Sequence, residues 1–268
     1  MFSLISLVKT CIGRKAKIAT VLLAIASFSF ASTPDAQAIL AASDAVRNPS
    51  RPFAVTVTLL EYRTSKQTDS STLQIYSKAD PASGQYRSLI RFVAPQRDAN
   101  KLMLKNGNDL WFYDPASQAS IRLSPQQRVL GQASNGDVVT VNLAKDYKAE
   151  WQGEEDVADG ERVMRRSHKL NLSASAPDVS YHRVEIWVDT TSSRPIKARF
   201  FAESGHLLKT AFYRKFQPQL GRDRPTEVVI IDGLDPSWVT VMRYSDYAWR
   251  DVPDAWLQRD YLPRFKPE

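Results

Sequence analysis

The chain is almost without cysteine. Its one thiol, Cys11, precedes the first apolar run, so no intrachain disulfide can form, and a lipid-attachment cysteine would have to follow that run. Histidine is scarce as well: His168, His182 and His206 fall in separate extended stretches or at a turn, without the helical pair spacing that a zinc protease uses. The sequence has no Gly-x-Ser-x-Gly elbow, no glycine loop of the kind that cradles phosphate, and no thiolate nucleophile beyond Cys11. Glu154, Glu155 and Asp156 are adjacent, but in the acidic turn expected over residues 153–160 they read as solvated charge; Asp232 and Asp235 read as turn formers. No donor grouping suits a metal. These absences argue against an enzyme and against a cofactor, and favour binding over turnover.

Long hydrophobic runs are missing after residue 38. Ahead of it, Lys9, Arg14, Lys15 and Lys17 precede the apolar run Ile18–Ala31, and Ala36-Gln37-Ala38 offers small residues to a signal peptidase. The run has 14 residues, short of the roughly 20 that span a bilayer. Residues 1–38 are therefore expected to be a cleaved secretory signal, with a cut after Ala31 as the alternative, and residues 39–268 to be one domain exported to a bacterial periplasm. Loss of the signal lowers the formal charge from +7 to +4, with 32 Lys/Arg against 28 Asp/Glu. So modest an excess mainly serves solubility. It permits peripheral contact with an anionic membrane, but no basic cluster interleaved with stacking aromatics marks a nucleic-acid module.

What the chain does have is alternation. A first helix is expected over Ala36–Val46, stopped by Asn48 and Pro49. Phe53, Val55, Val57 and Leu59 then share one face of a strand, and a polar turn is expected over Thr64–Ser71. Ile90 and Phe92 lie in a strand over Gln85–Val93, opposite Arg87 and Arg91. Lys101–Lys105 and Asp109–Tyr113 should pair across Asn106-Gly107, whose residues tolerate positive φ; either Trp111 or Phe112 faces inward. Short helices are expected within Ser124–Ala144, laid against a sheet.

The stretch Tyr181–Phe216 reads as three antiparallel strands. Val184, Ile186 and Val188 alternate with Arg183, Glu185 and Trp187; Ile196, Ala198 and Phe200 alternate with Lys197 and Arg199; Leu208, Phe212 and Phe216 oppose Lys209 and Lys215. Thr226–Ile231 and Trp238–Trp249 form a last pair, and the tail Val252–Phe265 packs back on the body. Ten or eleven short strands with at most three short helices make one mainly β, antiparallel domain. A meander with one apolar face must cover that face.

Two stretches resemble a known family. Asn106-Gly107-Asn108-Asp109-Leu110-Trp111-Phe112-Tyr113-Asp114-Pro115 is similar to a strand of the periplasmic outer-membrane lipoprotein carriers of the Lol type, LolA-like proteins. Glu185-Ile186-Trp187-Val188-Asp189, Pro195-Ile196-Lys197-Ala198 and Ser204–Thr210 resemble the meander of related lipoprotein-sorting proteins. The resemblance runs from about Phe53 to Trp249. It implies a single strongly bent antiparallel sheet, an incomplete β-barrel, with short helices over its concave apolar face, and a periplasmic carrier of lipoprotein acyl chains or another lipid. It also implies an inner-membrane exporter or an outer-membrane acceptor as partner, a monomeric state, and a lid-latching arginine for which Arg91 is the candidate. The alternative is a lipid-sensing regulatory or exporter-associated adaptor on the same scaffold, docking through an exposed Trp256–Phe265 tail.

The alternating apolar set then supplies the cavity candidates: Phe53, Val55, Val57, Leu59, Ile90, Phe92, Val184, Ile186, Val188, Ile196, Ala198, Phe200, Leu208 and Phe212. Each also serves as plain core. Together they offer more apolar face than three short helices can bury, so part of the wall is expected to stay unfilled.

Overall fold

Period-two alternation over most of the chain builds one 13-stranded antiparallel sheet. The structure, a computed structural model, describes residues 33–107 and 109–266. The expected signal, as far as Ser32, and Asn108 of the quoted motif lie outside the described residues.

Helix α1 (Ala36–Arg47) comes first, with Asp35 accepting from the backbone N–H groups of Gln37 and Ala38 and Asn48 closing the other end. Its first three residues belong to the segment expected to be removed. Strands β1 (Phe53–Arg63), β2 (Lys66–Ala79), β3 (Tyr86–Ala94), β4 (Leu102–Asn106), β5 (Asp109–Asp114) and β6 (Ala119–Arg122) follow as a meander. A covering segment holds the short strands β7 (Arg128–Leu130) and β8 (Ala133–Ser134) and the one-turn helices α2 (Asn135–Val138) and α3 (Leu143–Asp146). The second half is β9 (Tyr147–Ala158), β10 (Met164–Ala174), β11 (Arg183–Asp189), β12 (Pro195–Phe201), β13 (Leu207–Gln219), β14 (Arg222–Asp232) and β15 (Trp238–Trp249). The spatial order is β6-β5-β4-β3-β2-β1-β15-β14-β13-β12-β11-β10-β9. Strand β1 thus pairs with the last strand, Leu59 opposite Met242, and the two free edges, β6 and β9, are the ends of the covering segment. The sheet does not close on itself. It is an incomplete barrel.

Several local expectations change. The Thr64–Ser71 turn shrinks to Thr64 and Ser65, both at positive φ, and β2 begins at Lys66. The acidic turn is displaced: β9 continues through Gly153, where the register shifts, to Ala158, and Asp159 supplies the turn by accepting from the N–H groups of Glu161 and Val163. Glu154, Glu155 and Asp156 therefore lie on an edge strand, where charge blocks unwanted pairing, against Arg166, His168 and Lys169 of β10. Residues 124–144 are mostly loop, because Asn135-Gly136-Asp137-Val138 holds one turn only; its cap is Ser134, in a capping box with Asp137.

Two apolar clusters stabilise the sheet on opposite faces. The larger fills the concave side. The smaller lies on the convex side, where Val252, Trp256, Leu257 and Leu262 of the tail bury themselves against Ala54, Tyr76, Leu89, Leu102, Leu104 and Tyr113. Trp256 meets Tyr76 edge-on at 5.3 Å. The tail is a packing element, not the free docking surface that the adaptor reading needs. Trp111 joins this convex cluster, under the Arg259 guanidinium at 3.8 Å, whereas Phe112 meets Phe92 at 6.0 Å beside the concave core.

Candidate functional site

The concave wall is assembled by the alternation that the sequence displays. Phe53, Val55, Val57 and Leu59 from β1, Ile90 from β3, Val184, Ile186 and Val188 from β11, and Ala198 and Phe200 from β12 are buried in one cluster, with Phe92 packed against it. Ile196 is buried as well, but it belongs to neither apolar cluster and is the extra residue where the β11–β12 register shifts. Leu208 and Phe212 are not part of this cluster. Across the β12–β13 pair the register shifts so that Phe200 faces Lys209 and Phe201 faces Leu207. Leu208 is left out of the ladder and 39% exposed, while Phe212 lies beside Lys197 on the convex side. Lys209, Ala211 and Tyr213 take the inward positions instead. The irregularity follows no rule readable from Leu208, Phe212 and Phe216, whose spacing of four fits an undisturbed strand.

The covering segment, residues 123–146, is a lid held to the wall by the buried Ala133, Val138, Val139 and Leu143 and by polar contacts. Asp137 of α2 pairs with the buried Lys209 ammonium, which also donates to the Gln132 carbonyl at 3.1 Å. Tyr181 donates to the other Asp137 oxygen at 2.9 Å and meets the Ser134 hydroxyl at 2.7 Å. Burial pushes the Lys209 ammonium below its ordinary pKa, against the pull of Asp137; burial, reinforced by Asp137, pushes the Tyr181 phenol up. Gly136 touches Ser180 so closely that a Cβ there would lie 2.3 Å from its hydroxyl. At the other end of the lid, Asn48 donates to the Val141 carbonyl at 2.8 Å, Asp44 accepts from the Ala144 N–H at 2.8 Å, and Gln37 donates to the carbonyls of Ala144 and Tyr147 while accepting from Ala149. The last pairing lets one amide side chain stand in for a neighbouring strand at the β9 edge. Arg91 takes no part in this: it hydrogen-bonds to Asn100 at 3.2 Å, and its place is taken by Lys209, Tyr181 and Arg47, which donates to Val141 at 3.3 Å.

Beneath the lid are two cavities of about 80 Å³ each. Both are bordered by Arg47, Asp137, Val139, Val141, Tyr213, Val228 and Tyr244. Each is about half the ~150 Å³ that accommodates one benzene. The unfilled part of the wall is thus limited to two small cavities, because Val139 and Leu143 of the lid and Leu40 of α1 occupy the space beside them. Sequence reasoning missed Asp137, Lys209, Tyr181 and the tyrosines 213 and 244. Polar residues inside a wall carry no periodic signal, and only the register places them.

Among the described residues no group of three or more His, Cys, Asp or Glu could hold a metal ion, and no helix is long and apolar enough to cross a membrane. What the fold and site define is a half-barrel with an apolar concave wall under a hydrogen-bonded lid. Comparison with known proteins gives the same class. A family model described as "uncharacterized protein" matches residues 84–264. A LolA superfamily protein from Nitrosomonas europaea superimposes with a TM-score of 0.76 at 33% identity, over 85% of this chain and 100% of that one. A DUF1329 family protein from Desulfovibrio piger (TM-score 0.71, 21% identity, 85% and 97% covered) and an outer membrane lipoprotein-sorting protein domain from Vibrio parahaemolyticus (0.71, 15%, 85% and 98%) share the fold. No curated protein matches. The chain belongs to the LolA superfamily.

Proposed function

We propose that this protein is a periplasmic carrier that takes up the acyl chains of a lipoprotein or another lipid against its concave wall when the lid lifts. The observation that carries the reading is the combination of an apolar wall spanning seven strands or more with a roof whose few buried apolar residues, Ala133, Val138, Val139 and Leu143, are supplemented by hydrogen bonds and by the Asp137–Lys209 and Arg128–Asp232 ion pairs. Such a roof can leave without tearing the sheet, because none of the 13 strands belongs to it. Each methylene sequestered from water contributes ~0.8 kcal/mol, which a membrane offers nearly equally, so a carrier runs close to balance and its lid contacts set the direction of transfer. The role is binding, not catalysis. Partners are an inner-membrane source and an outer-membrane acceptor, and the carrier works as a monomer. Likeness to a lipoprotein-sorting domain of the same fold supports the cargo class.

The remaining wall candidates, Phe53 to Phe200 in or against the cluster above, then contact the cargo. Ile196, Leu208 and Phe212 do not. A signal ending at Ala31 fits export better than one ending at Ala38, because Asp35 and Gln37 serve the folded domain.

The test is transfer of a labelled lipid between vesicles. Ala211→Phe, which fills the first cavity at a cost of ~1–3 kcal/mol, should keep the protein folded and slow transfer at least tenfold; unchanged transfer would remove the wall from the path.

A further inference from the structure

Six tyrosines border the concave side, and they divide into two groups. Tyr86 donates to the Pro49 carbonyl, Tyr147 to the Tyr181 carbonyl at 3.1 Å, and Tyr181 to Asp137 at 2.9 Å. Tyr213, Tyr244 and Tyr247 have no hydrogen-bond partner among the described residues, although burial raises the pKa of all three. Tyr213 is 8% exposed. Tyr213 and Tyr244 border both cavities under the lid, and Tyr247, stacked on Tyr244 at 6.5 Å, borders the second. Tyr244 and Tyr247 are half-buried. A wall that only packs hydrocarbon is served equally well by phenylalanine, which carries no hydroxyl that calls for a partner.

We propose that these three phenols donate hydrogen bonds to the carbonyl oxygens of an acylated lipid, an ester or amide group lodged beneath the lid while its chain lies along the apolar wall. The inference rests on the carrier reading and names the part of the cargo that the interior recognises. The group is a neutral carbonyl and not a phosphate or carboxylate, because the local charges are already matched. Arg47 is paired with Asp44 and donates to the Val141 carbonyl, and Lys209 is paired with Asp137. Among the described residues that border the two cavities Arg47 is the one cation; the buried Arg224 borders neither and donates to the backbone carbonyls of Gln219, Ala45 and Val46. The arrangement also separates tasks: tyrosines 147 and 181 serve the lid, and tyrosines 213, 244 and 247 serve the cargo.

The experiment compares two probes of equal chain length, dipalmitoylglycerol, an ester, and dihexadecylglycerol, its ether analogue without carbonyls, in equilibrium binding to the full protein. The expected result is ester binding at least about tenfold tighter, the worth of one or two neutral hydrogen bonds. The variant carrying Tyr213→Phe, Tyr244→Phe and Tyr247→Phe should lose the preference and bind the ester only as well as the ether. Equal binding of both probes by the unaltered protein overturns the carbonyl assignment and leaves the carrier reading standing, and needs no variant to fold. An ester preference that survives the three substitutions overturns the assignment to these phenols. Binding of neither probe overturns the carrier reading itself.

Discussion

Lys209 of β13 and Asp137 of α2 form an ion pair with both side chains out of water, the ammonium 4% and the carboxylate 10% exposed. The pair joins the lid to the wall directly over a cavity, and the carboxylate also accepts from Tyr181. A charge left alone in such a place is costly. Asp137→Asn or Lys209→Met should destabilise the protein by about 3–5 kcal/mol in denaturant unfolding, and should expose residues 123–146 to protease before the sheet unfolds. The pair replacement Asp137→Leu with Lys209→Met should recover most of the stability. A single variant as stable as the parent would mean that the lid does not depend on this contact.

The tail makes a separate prediction. Trp256 is 8% exposed and packs against Tyr76 and Phe265. Trp256→Ala should cost ~3–5 kcal/mol in thermal or denaturant unfolding, and lipid binding measured well below the new midpoint should be unchanged, because the tail lies on the convex face. Loss of lipid binding in a folded variant would connect the two faces.

Acid sensitivity should centre on Glu227. Its side chain is 2% exposed and receives Arg214, Lys215 and Arg243. Burial raises its pKa, but hydrogen bonds from these three cations outweigh it and hold the carboxyl below the ordinary 4.5. The unfolded chain therefore takes up this proton first as pH falls, so the stability contributed is complete above about 4.5 and is lost through the lower folded value. Unfolding midpoints followed downward from pH 6 should fall less steeply in Glu227→Gln, which is already weaker at neutral pH. Equal slopes in the two proteins would assign the acid limb to other groups.

On the carrier reading, cleavage after Ala31 should leave Ser32 as the mature amino terminus. A chain beginning at Ile39 lacks the Asp35 cap, worth about 1 kcal/mol, and the Gln37 amide that joins α1 to α3 and β9. N-terminal sequencing decides this; a start at Ile39 in a stable protein would contradict the role given to these residues.

Much of the architecture could be read from the chain because alternation at Val184–Val188 or Phe53–Leu59 states which face is apolar, and Asn48, Pro49 and Gly107 mark ends and turns. Other features depend on contacts far apart in sequence. Nothing local announces that β1 lies beside β15. The shift opposite Phe200 turned Lys209 inward and Leu208 outward, against the hydrophobic pattern. The lid resisted reading for a third reason: residues 123–146 owe their shape to Gln85, Asn48, Asp44 and Tyr181, which hold their backbone and side chains from outside the segment. Of the fourteen wall candidates, eleven lie in the buried inner cluster or pack against it and Ile196, Leu208 and Phe212 do not, while the polar half of the site came only from the fold.

The most direct measurement of the central claim is mass spectrometry of the protein released gently from its own cells, under conditions that keep bound molecules in place. The account predicts a co-purifying acylated lipid, held by the unaltered protein and depleted in Ala211→Phe. Protein that emerges lipid-free, and takes up no labelled lipid from vesicles even when Asp137→Asn loosens the lid, would contradict it.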